Sequence, residues 1–377
     1  MHSSVIIIAI TQSVLGVPLQ FACKYSYCNQ LKQLDMMVQE SVLTQIHAFA
    51  VNLKGELARI ESSESYDSQW VACIRKAEIE NPWFTKREQL RSLKSWVAIL
   101  TDPSFEAELN RFPPKTTTKT VGVIAAGNIP MVGLHDAISV LLSGHNLLLK
   151  CSSEDKILLP FFLAQLSEFV VDFKARYSIV EGFKSRDINA LIATGSDNTA
   201  RYFEYYFREN HKIIRKNRTS VAVLDGSETQ EEMEALLEDV FAYFGLGCRS
   251  ITKLYLPKGF DVQRVFKAMP KFEYLANHNK YMNNYTYHKA LYLMNQTPYL
   301  ENGFCNLVEE ESLHSPVSCL HYEFYDDIAV LNNTLTDMQE KIQCRVGVDG
   351  LALGSAQKPC FTDYADQVNT MEFLNGL

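Results

Sequence analysis

Cys248 is the residue of this chain best suited to covalent chemistry, and it lies in the segment FGLGCRS, residues 244–250. Gly245 and Gly247 flank it, and glycine allows a substrate to approach the backbone closely and tolerates unusual dihedral angles. Arg249 follows directly, and its positive charge favours the thiolate, which is the form of cysteine that attacks a carbonyl carbon. The alternative interpretation is a small structural cysteine beside a turn.

Two regular elements are predicted to position Cys248. Apolar residues recur at one-face helical spacing through residues 229–244, and Thr229 followed by Glu232 predicts a capping box at the start of that helix. Residues 251–257 (ITKLYLP) alternate as in a β-strand. Cys248 is therefore expected at a glycine-flanked junction between a helix and a strand.

Upstream of this junction, strands and helices alternate. A helical front end is predicted over residues 40–60 and 85–100, with no sign of chemistry. The predicted strands that follow are residues 120–126, 146–150, 188–193 and 220–224, with helices between them. This alternation indicates βαβ units on a parallel sheet, hence a doubly wound nucleotide-binding domain. The usual Gly-x-Gly-x-x-Gly dinucleotide fingerprint is absent from the sequence.

The composition excludes several classes of protein. A chain of 377 residues is long enough for two domains, and 47% hydrophobic with 21% charged residues is ordinary for a globular protein. The formal net charge of -8, without a basic stripe, argues against nucleic-acid binding. Nine cysteines, with no Cys-x-x-Cys pair and no zinc-type spacing, fit a reducing compartment and no metal site.

The first residues leave three interpretations open. Residues 5–22 are uncharged and mostly apolar, which is compatible with a signal peptide or a short membrane anchor. Against both, no Lys or Arg precedes this stretch, and a polar Thr-Gln-Ser run interrupts it. A third interpretation is that translation begins at Met36 or Met37. Because the cysteine usage favours a reducing environment, we expect a cytoplasmic protein with an uncertain N-terminal extension over residues 1–36.

Four segments, in order along the chain, resemble the acyl-CoA reductase family of the aldehyde dehydrogenase superfamily, the family that includes the fatty-acid reductase of bacterial bioluminescence. They are AGNIP at 126–130, SGHNLLLKCSS at 143–153, TGS at 194–196 and GLGCR at 245–249. The resemblance extends from about residue 81 to the C-terminus. It implies an aldehyde-dehydrogenase-like α/β fold with two doubly wound domains. The expected division is 37–226 for the front end and cofactor domain, 227–345 for the catalytic domain, and 346–377 for a segment that packs back on the cofactor domain or mediates oligomerisation.

The resemblance also implies roles for individual residues. Cys248 is the expected nucleophile, and Asn128 is the expected donor to the oxyanion. The expected cofactor-binding residues are Lys150 and Ser152 at the ribose or its 2′-phosphate, and Thr194, Gly195 and Ser196 at the pyrophosphate. Taken alone, Asn128 also fits an ordinary turn and Lys150 a solvated strand end. A lysine at the ribose favours NADPH, with NADH as the alternative.

Two departures from the superfamily pattern affect the predicted reaction. Aldehyde-oxidising members use a glutamate to activate the water that hydrolyses the acyl-enzyme, yet the matching residues 211–218 (HKIIRKNR) contain no acid. Without that base the acyl-enzyme is left to exchange with a thiol or accept hydride. In addition, Ser312 stands where other members carry a ribose-binding glutamate, although Glu311 is adjacent.

We therefore predict an NADPH-dependent acyl-CoA reductase whose partners are an acyl thioester and CoA. One alternative is a reductase of another activated acyl group, such as an acyl phosphate or a carrier-protein-bound acyl chain. The other is a non-catalytic assembly subunit that only binds nucleotide or acyl groups. The resemblance implies a homo-oligomer. Residues 274–299, rich in Asn, His and Tyr, either line a polar substrate pocket or form a solvated loop region.

Overall fold

A computed structural model describes residues 42–115 and 117–377 of the chain. The predictions for the apolar stretch 5–22 and for a start at Met36 or Met37 lie outside these residues. The chain divides into two compact units, Met1–Gln45 and Ile46–Leu377, and all the sheets and candidate site residues belong to the second. In the described part of the chain, no helix combines the length and apolar character needed to cross a membrane.

Four helices form the front end. They are α1 (residues 42–62), α2 (Gln69–Glu80), α3 (Lys86–Thr101) and α4 (Pro103–Arg111). Thr85 caps α3 by accepting a hydrogen bond from the Glu88 N–H. The apolar side of α3, which includes Leu93 and Leu100, is fully buried. The front end therefore packs its apolar side against the rest of the second unit.

The first sheet contains five parallel strands in the order β3-β2-β1-β4-β5. Its strands are β1 (Thr120–Ile124), β2 (Asn146–Lys150), β3 (Tyr177–Ile179), β4 (Ala190–Thr194) and β5 (His211–Arg215). The connecting helices are α5 (Leu134–Leu142), α6 (Leu158–Phe169), α7 (Val171–Lys174) and α8 (Asp197–Tyr206). The order reverses at β1, and in such sheets ligands bind in the crevice beyond the carboxyl ends of the strands at that point.

The second sheet contains six strands in the order β11-β6-β7-β10-β9-β8, all parallel except the short β8. Its strands are β6 (Thr219–Val223), β7 (Ile251–Pro257), β8 (Leu300–Glu301), β9 (Asn306–Glu309), β10 (Cys319–Tyr325) and β11 (Ile342–Gly347). The remaining helices are α9 (Gln230–Phe241), α10 (Gln263–Lys267), α11 (Asn279–Met294), α12 (Ile328–Asp337) and α13 (Thr370–Asn375). Two predominantly parallel sheets with helices confirm the predicted α/β fold class.

The prediction that the strand at 220–224 completes the first sheet is wrong. This strand, β6, pairs with β7 and β11, so the chain crosses to the second sheet between Arg215 and Thr219 rather than at the predicted boundary at 226. All five residues of β6 are buried, which a central strand of a covered parallel sheet requires. The charged segment HKIIR forms β5 at the edge of the first sheet instead.

The prediction for residues 274–299 is also wrong. A 3₁₀ helix (Pro270–Asn277) leads into α11, where Tyr281 and Tyr285 are buried against the second sheet. His278 caps α11 by accepting the Tyr281 N–H, so a histidine takes the place of the usual Ser, Thr, Asp or Asn. These residues are therefore largely helical, and none of them lines the cleft described below.

Candidate active site

A cleft of about 1910 Å³ is lined by residues at the carboxyl ends of the first-sheet strands and at the amino ends of β6, β7 and β11 of the second sheet. All the site residues predicted from the sequence line it: Asn128, Lys150, Ser152, Thr194, Gly195, Ser196 and Cys248. They come from four separate segments of the chain, and the fold places in one cleft residues that lie up to 120 positions apart in the sequence. Their individual roles stay predictions.

The backbone leading to Cys248 is unusual. After α9 ends at Phe241, Tyr243 (φ 52°), Phe244 (φ 59°) and Gly245 (φ 77°) all adopt left-handed conformations. Two consecutive non-glycine residues in this region persist only when surrounding structure holds them. Here the buried carboxylate of Glu88, on α3, accepts the Tyr243 N–H at 2.8 Å. A contact from the front end therefore fixes the turn into the nucleophile segment.

Side chains from distant elements also hold the backbone around Cys248. The Ser220 hydroxyl donates to the Cys248 carbonyl at 2.9 Å, and the Ser250 hydroxyl accepts the Gly247 N–H at 3.2 Å. The Gln357 amide donates in turn to Ser250 Oγ at 3.3 Å. The position of Cys248 is thus determined by β6 and by the C-terminal segment as well as by its own neighbours.

The environment of the Cys248 thiol opposes ionisation. Its side chain is accessible from the cleft, yet protein surrounds it closely on the other sides. Burial raises the pKa of the Cys248 thiol to about 11, and the positive charge of Arg249 only partly offsets this. The Arg249 side chain donates from Nε to the Ala356 carbonyl. Arg249 therefore lowers the pKa of Cys248, as the sequence predicted, but burial raises this pKa by more.

Asn128 extends from the turn after β1 to the nucleophile segment. Its Nδ2 donates to the Leu246 carbonyl at 2.6 Å, two residues before Cys248. A primary amide carries two N–H groups, so this bond fixes the orientation of the amide and leaves the second N–H for another acceptor. The second N–H suits the oxyanion that forms on a substrate carbonyl oxygen when Cys248 attacks the carbonyl carbon, because such an oxyanion needs a preorganised donor.

The end of β2 carries Lys150 and, two residues on, Ser152. The Ser152 hydroxyl accepts the Glu154 N–H and starts a 3₁₀ turn. Gly127 packs against this turn so closely that a Cβ there would lie 2.7 Å from Ser152 Cβ. In the described part of the chain the Lys150 ammonium has no ion pair or hydrogen bond to a side chain. Its charge is available to a ligand in the cleft.

The start of α8 forms another part of the cleft wall. Thr194 ends β4, Gly195 forms the turn, and Ser196 caps the ten-residue helix by accepting the Thr199 N–H. A Cβ at Gly195 would lie 3.1 Å from Thr199 Cβ, so this position favours glycine. Unpaired N–H groups and the positive end of the helix dipole favour an anion here. The turn therefore fits a pyrophosphate, as a nicotinamide dinucleotide requires.

A buried ion pair in the cleft wall was not recognised from the sequence. Arg215, at the end of β5, bonds to Asp136 of α5 at 2.7 Å, with both side chains almost fully buried. Burial favours the neutral carboxyl, but the Arg215 charge more than offsets it and lowers the pKa of Asp136 to about 2. Arg215 also donates to the Ala365 carbonyl and the Thr370 hydroxyl. Residues 211–218 therefore contribute cations, and no acid, to the cleft.

The C-terminal segment packs on both sides of the site. Its residues 354 and 357 donate backbone N–H groups to the buried carboxylate of Asp239 on α9. The same segment contacts the turn before β2, where His145 bonds to the Leu374 carbonyl, and helix α4 of the front end, where Tyr364 donates to Glu108. These contacts connect the nucleophile helix to the region around the first sheet.

A loop at residues 311–315 forms the wall opposite the first sheet, and it contains the two candidates for a ribose ligand. Buried side chains of β7 and β10 hold its consecutive carbonyls: Lys253 bonds to Glu311 O at 2.6 Å, His321 to Ser312 O at 3.0 Å and Thr252 to Leu313 O at 2.6 Å. The Ser312 hydroxyl is used within the loop, on the His314 carbonyl. The Glu311 carboxylate has no side-chain partner among the described residues and lies at the cleft.

Over residues 42–115 and 117–377, no group of three or more His, Cys, Asp or Glu side chains is arranged to hold a metal ion.

Known structures share this architecture. The chain resembles an NAD-dependent benzaldehyde dehydrogenase from Corynebacterium glutamicum (TM-score 0.60, 13% identity, 85% of this chain and 80% of that one). It also resembles aldehyde dehydrogenase 21 from Physcomitrella patens (TM-score 0.54, 11% identity, 82% and 73%). A third is betaine aldehyde dehydrogenase from Staphylococcus aureus (TM-score 0.59, 9% identity, 82% and 70%). The fold is therefore that of the aldehyde dehydrogenases.

The sequence itself matches the acyl-CoA reductase (LuxC) family over residues 36–270, and the chain belongs to that family. Comparison with curated proteins finds no match. Family and fold together confirm the predicted resemblance to the acyl-CoA reductase family and identify an oxidoreductase of the acyl-reducing, aldehyde-forming type.

Proposed function

We propose that this protein reduces an acyl-CoA thioester to an aldehyde through an acyl-cysteine intermediate on Cys248. The observation that supports this best is the Asn128 amide, which is fixed on the Leu246 carbonyl two residues before Cys248. A thiolate and a preorganised amide donor are the two groups that acyl transfer from a thioester requires.

In the proposed reaction the Cys248 sulfur forms a bond to the thioester carbonyl carbon. The carbonyl oxygen becomes an oxyanion, stabilised by the free Asn128 N–H and the Cys248 backbone N–H. The carbon–sulfur bond to CoA then breaks, and the departing CoA thiolate takes up the proton that Cys248 gave up. Because the Cys248 pKa is about 11, loss of this proton has to be coupled to substrate binding.

The cleft suits a nicotinamide dinucleotide, with the start of α8 for the pyrophosphate and Lys150 with Ser152 for the ribose. When bound, a reduced nicotinamide supplies the hydride that converts the acyl-cysteine to the aldehyde level. Cys248 then leaves as thiolate, and Asn128 stabilises the oxyanion a second time. We propose NADPH as the preferred cofactor because Lys150 offers an unpaired positive charge, with NADH as the alternative.

The absence of an acid from residues 211–218 supports reduction over hydrolysis. Arg215 is committed to Asp136 and cannot act as a base at neutral pH. Water in the cleft is therefore not activated by this segment, and the acyl-cysteine survives until hydride arrives. A cytoplasmic location and a homo-oligomeric assembly stay predictions.

The test is NADPH oxidation by the purified protein with a panel of acyl-CoAs, measured together with CoA release and aldehyde formation. Cys248→Ala should abolish all three signals, while Cys360→Ala, which alters another thiol of the cleft, should keep them. If no acyl-CoA is turned over but an acyl phosphate or an acyl-carrier protein is, the CoA assignment is wrong. If no acyl donor is turned over while a nicotinamide dinucleotide or an acyl-CoA still binds, the protein is a binding subunit.

A further inference from the structure

A carboxylate at the end of β3 lies beside the lysine proposed to select the cofactor. Glu181 follows β3 and lines the same cleft as Lys150. The two strands pair in parallel with Leu149 opposite Ile179, and the Val180 N–H bonds to the Leu149 carbonyl at 2.9 Å. Lys150 and Glu181 thus leave neighbouring strands at nearly the same level, where strand axes are about 4.8 Å apart.

Neither charge is satisfied by the protein. Among residues 42–115 and 117–377, Glu181 is exposed and has no ion pair or side-chain hydrogen bond, and it forms none with Lys150 within 4.0 Å. The other cation near this end of the cleft, Lys156, is paired with Glu80 at 2.7 Å. Two opposite charges therefore face the same solvent-filled region and remain free to act on a ligand.

The surroundings suit the adenosine half of a dinucleotide. A pyrophosphate at Ser196 and a ribose at Lys150 would run across the sheet from β4 towards β3. The next side chains in that direction are Ile179, which is 44% exposed, and Val180, which also lines the cleft. Apolar side chains beside an acid and a lysine can contact the base while the charged groups reach the ribose 2′-position.

We propose that Glu181 opposes Lys150 at the ribose 2′-position and sets the balance between NADH and NADPH. A 2′-phosphate carries nearly two negative charges, so Lys150 attracts it and Glu181 repels it. A 2′-hydroxyl can instead donate a hydrogen bond to the Glu181 carboxylate, as acids do in NAD-binding sheets. This inference rests on the proposed function, since it needs the cofactor in this cleft, and it makes the preference for NADPH weaker than Lys150 alone would give.

Glu154 provides a matched control for the loss of one negative charge. It also lines the cleft, but it lies on the other side of Lys150, towards β1, where a Cβ at Gly127 would be 2.9 Å from its Cβ. If the total negative charge of the cleft determined the preference between NADP⁺ and NAD⁺, neutralising Glu181 or Glu154 would have the same effect. If proximity to the ribose 2′-position determines the preference, only neutralising Glu181 should change the NADP⁺/NAD⁺ ratio strongly.

The experiment measures binding of NADP⁺ and NAD⁺ to the purified full chain by calorimetry, without acyl substrate, for wild type, Glu181→Gln, Glu154→Gln and Lys150→Met. Neutralising Glu181 should tighten NADP⁺ roughly tenfold, as expected for charges several ångströms apart in a partly solvated cleft. NAD⁺ should weaken or stay within about twofold. Lys150→Met should weaken NADP⁺ selectively, and Glu154→Gln should change the ratio by less than about threefold.

An unchanged NADP⁺/NAD⁺ ratio in Glu181→Gln overturns the inference, as does an equal shift in Glu154→Gln. If both nucleotides bind and Glu181→Gln shifts the ratio, the inference holds even when no acyl-CoA is reduced, so only the acyl assignment then fails. If neither nucleotide binds wild type or any variant, the cofactor site of the proposed function is wrong and the inference falls with it.

Discussion

Replacing Asn128 with alanine removes a side-chain amide donor that the structure holds on the nucleophile segment. The variant loses the bond from Nδ2 to the Leu246 carbonyl and the second N–H, which is proposed to stabilise the oxyanion. Loss of one donor from an oxyanion site lowers kcat by about 10²–10³-fold, or about 2.7–4 kcal/mol of transition-state stabilisation. The bond to Leu246 is near the surface of the cleft, so its own contribution to folding should be about 1 kcal/mol.

The assay is CoA release in the first turnover with the acyl-CoA that gives the fastest NADPH oxidation. A donor that acts only in the transition state should lower the acylation rate and leave the KM for acyl-CoA nearly unchanged. Asn128→Asp keeps the shape but places a carboxylate where negative charge develops, so we expect it to be no more active than the alanine variant. Urea unfolding of each variant separates lost stability from lost chemistry.

Asn217→Ala is the matched control, because Asn217 lines the same cleft and has no role in the proposed reaction. Its first-turnover rate should stay within about threefold of wild type. An Asn128→Ala variant that acylates within threefold of wild type would refute the oxyanion role. So would a variant whose loss appears entirely in KM, since that pattern indicates a contact with the ground state.

Four further results are expected. Iodoacetamide should label Cys248 faster at higher pH, about tenfold per unit from pH 7 to 10, because its pKa is about 11; a plateau by pH 8 would contradict this. The pKa of Asp136 is lowered to about 2, chiefly by Arg215, so its ionised carboxylate should contribute about 2 kcal/mol to the free energy of unfolding. This contribution should be complete above pH 4 and lost as the pH falls through 2. Asp136→Asn should remove this pH dependence of the free energy of unfolding, measured in acid. Glu88→Ala strands the Tyr243 N–H and should cost about 1–3 kcal/mol in urea and slow acylation, whereas Glu88→Gln retains an acceptor and much of the activity. Without cofactor, acyl-CoA should release about one CoA per Cys248 and then stop, and continued release would show hydrolysis.

Local signals predicted the elements well. The capping box of Thr229 with Glu232 is present, and β2 spans the predicted residues 146–150. Such features depend on residues close together in the sequence, so periodicity and capping chemistry reveal them. The seven predicted site residues were found through resemblance, and they do line one cleft. Motif patterns alone would not have identified the cofactor-binding residues, because the usual Gly-x-Gly-x-x-Gly fingerprint is absent from the sequence.

What the sequence did not reveal depends on contacts between distant residues. Alternation identified the strand of Thr219–Val223 but not its sheet, because membership depends on pairing with β7 and β11 far along the chain. Glu88 lies in the first turn of α3, where an acidic residue is common, yet its carboxylate accepts the Tyr243 N–H from 155 residues away. The left-handed backbone at Tyr243 likewise has no local signal, since aromatic residues rarely adopt it.

The proposed role of Cys248 as a nucleophile has to be reconciled with the raised pKa of its thiol. The raised pKa lowers the fraction of Cys248 present as thiolate, but the thiolate of a more basic thiol is intrinsically the stronger nucleophile. The Glu88, Ser220 and Gln357 contacts fix the backbone on three sides of the nucleophile, so little reorganisation is needed when an acyl group arrives. In the proposed reaction, the lack of an acid in residues 211–218 leaves this segment without a base to activate water against the acyl-enzyme. This combination favours transfer of hydride over loss of the acyl group to solvent.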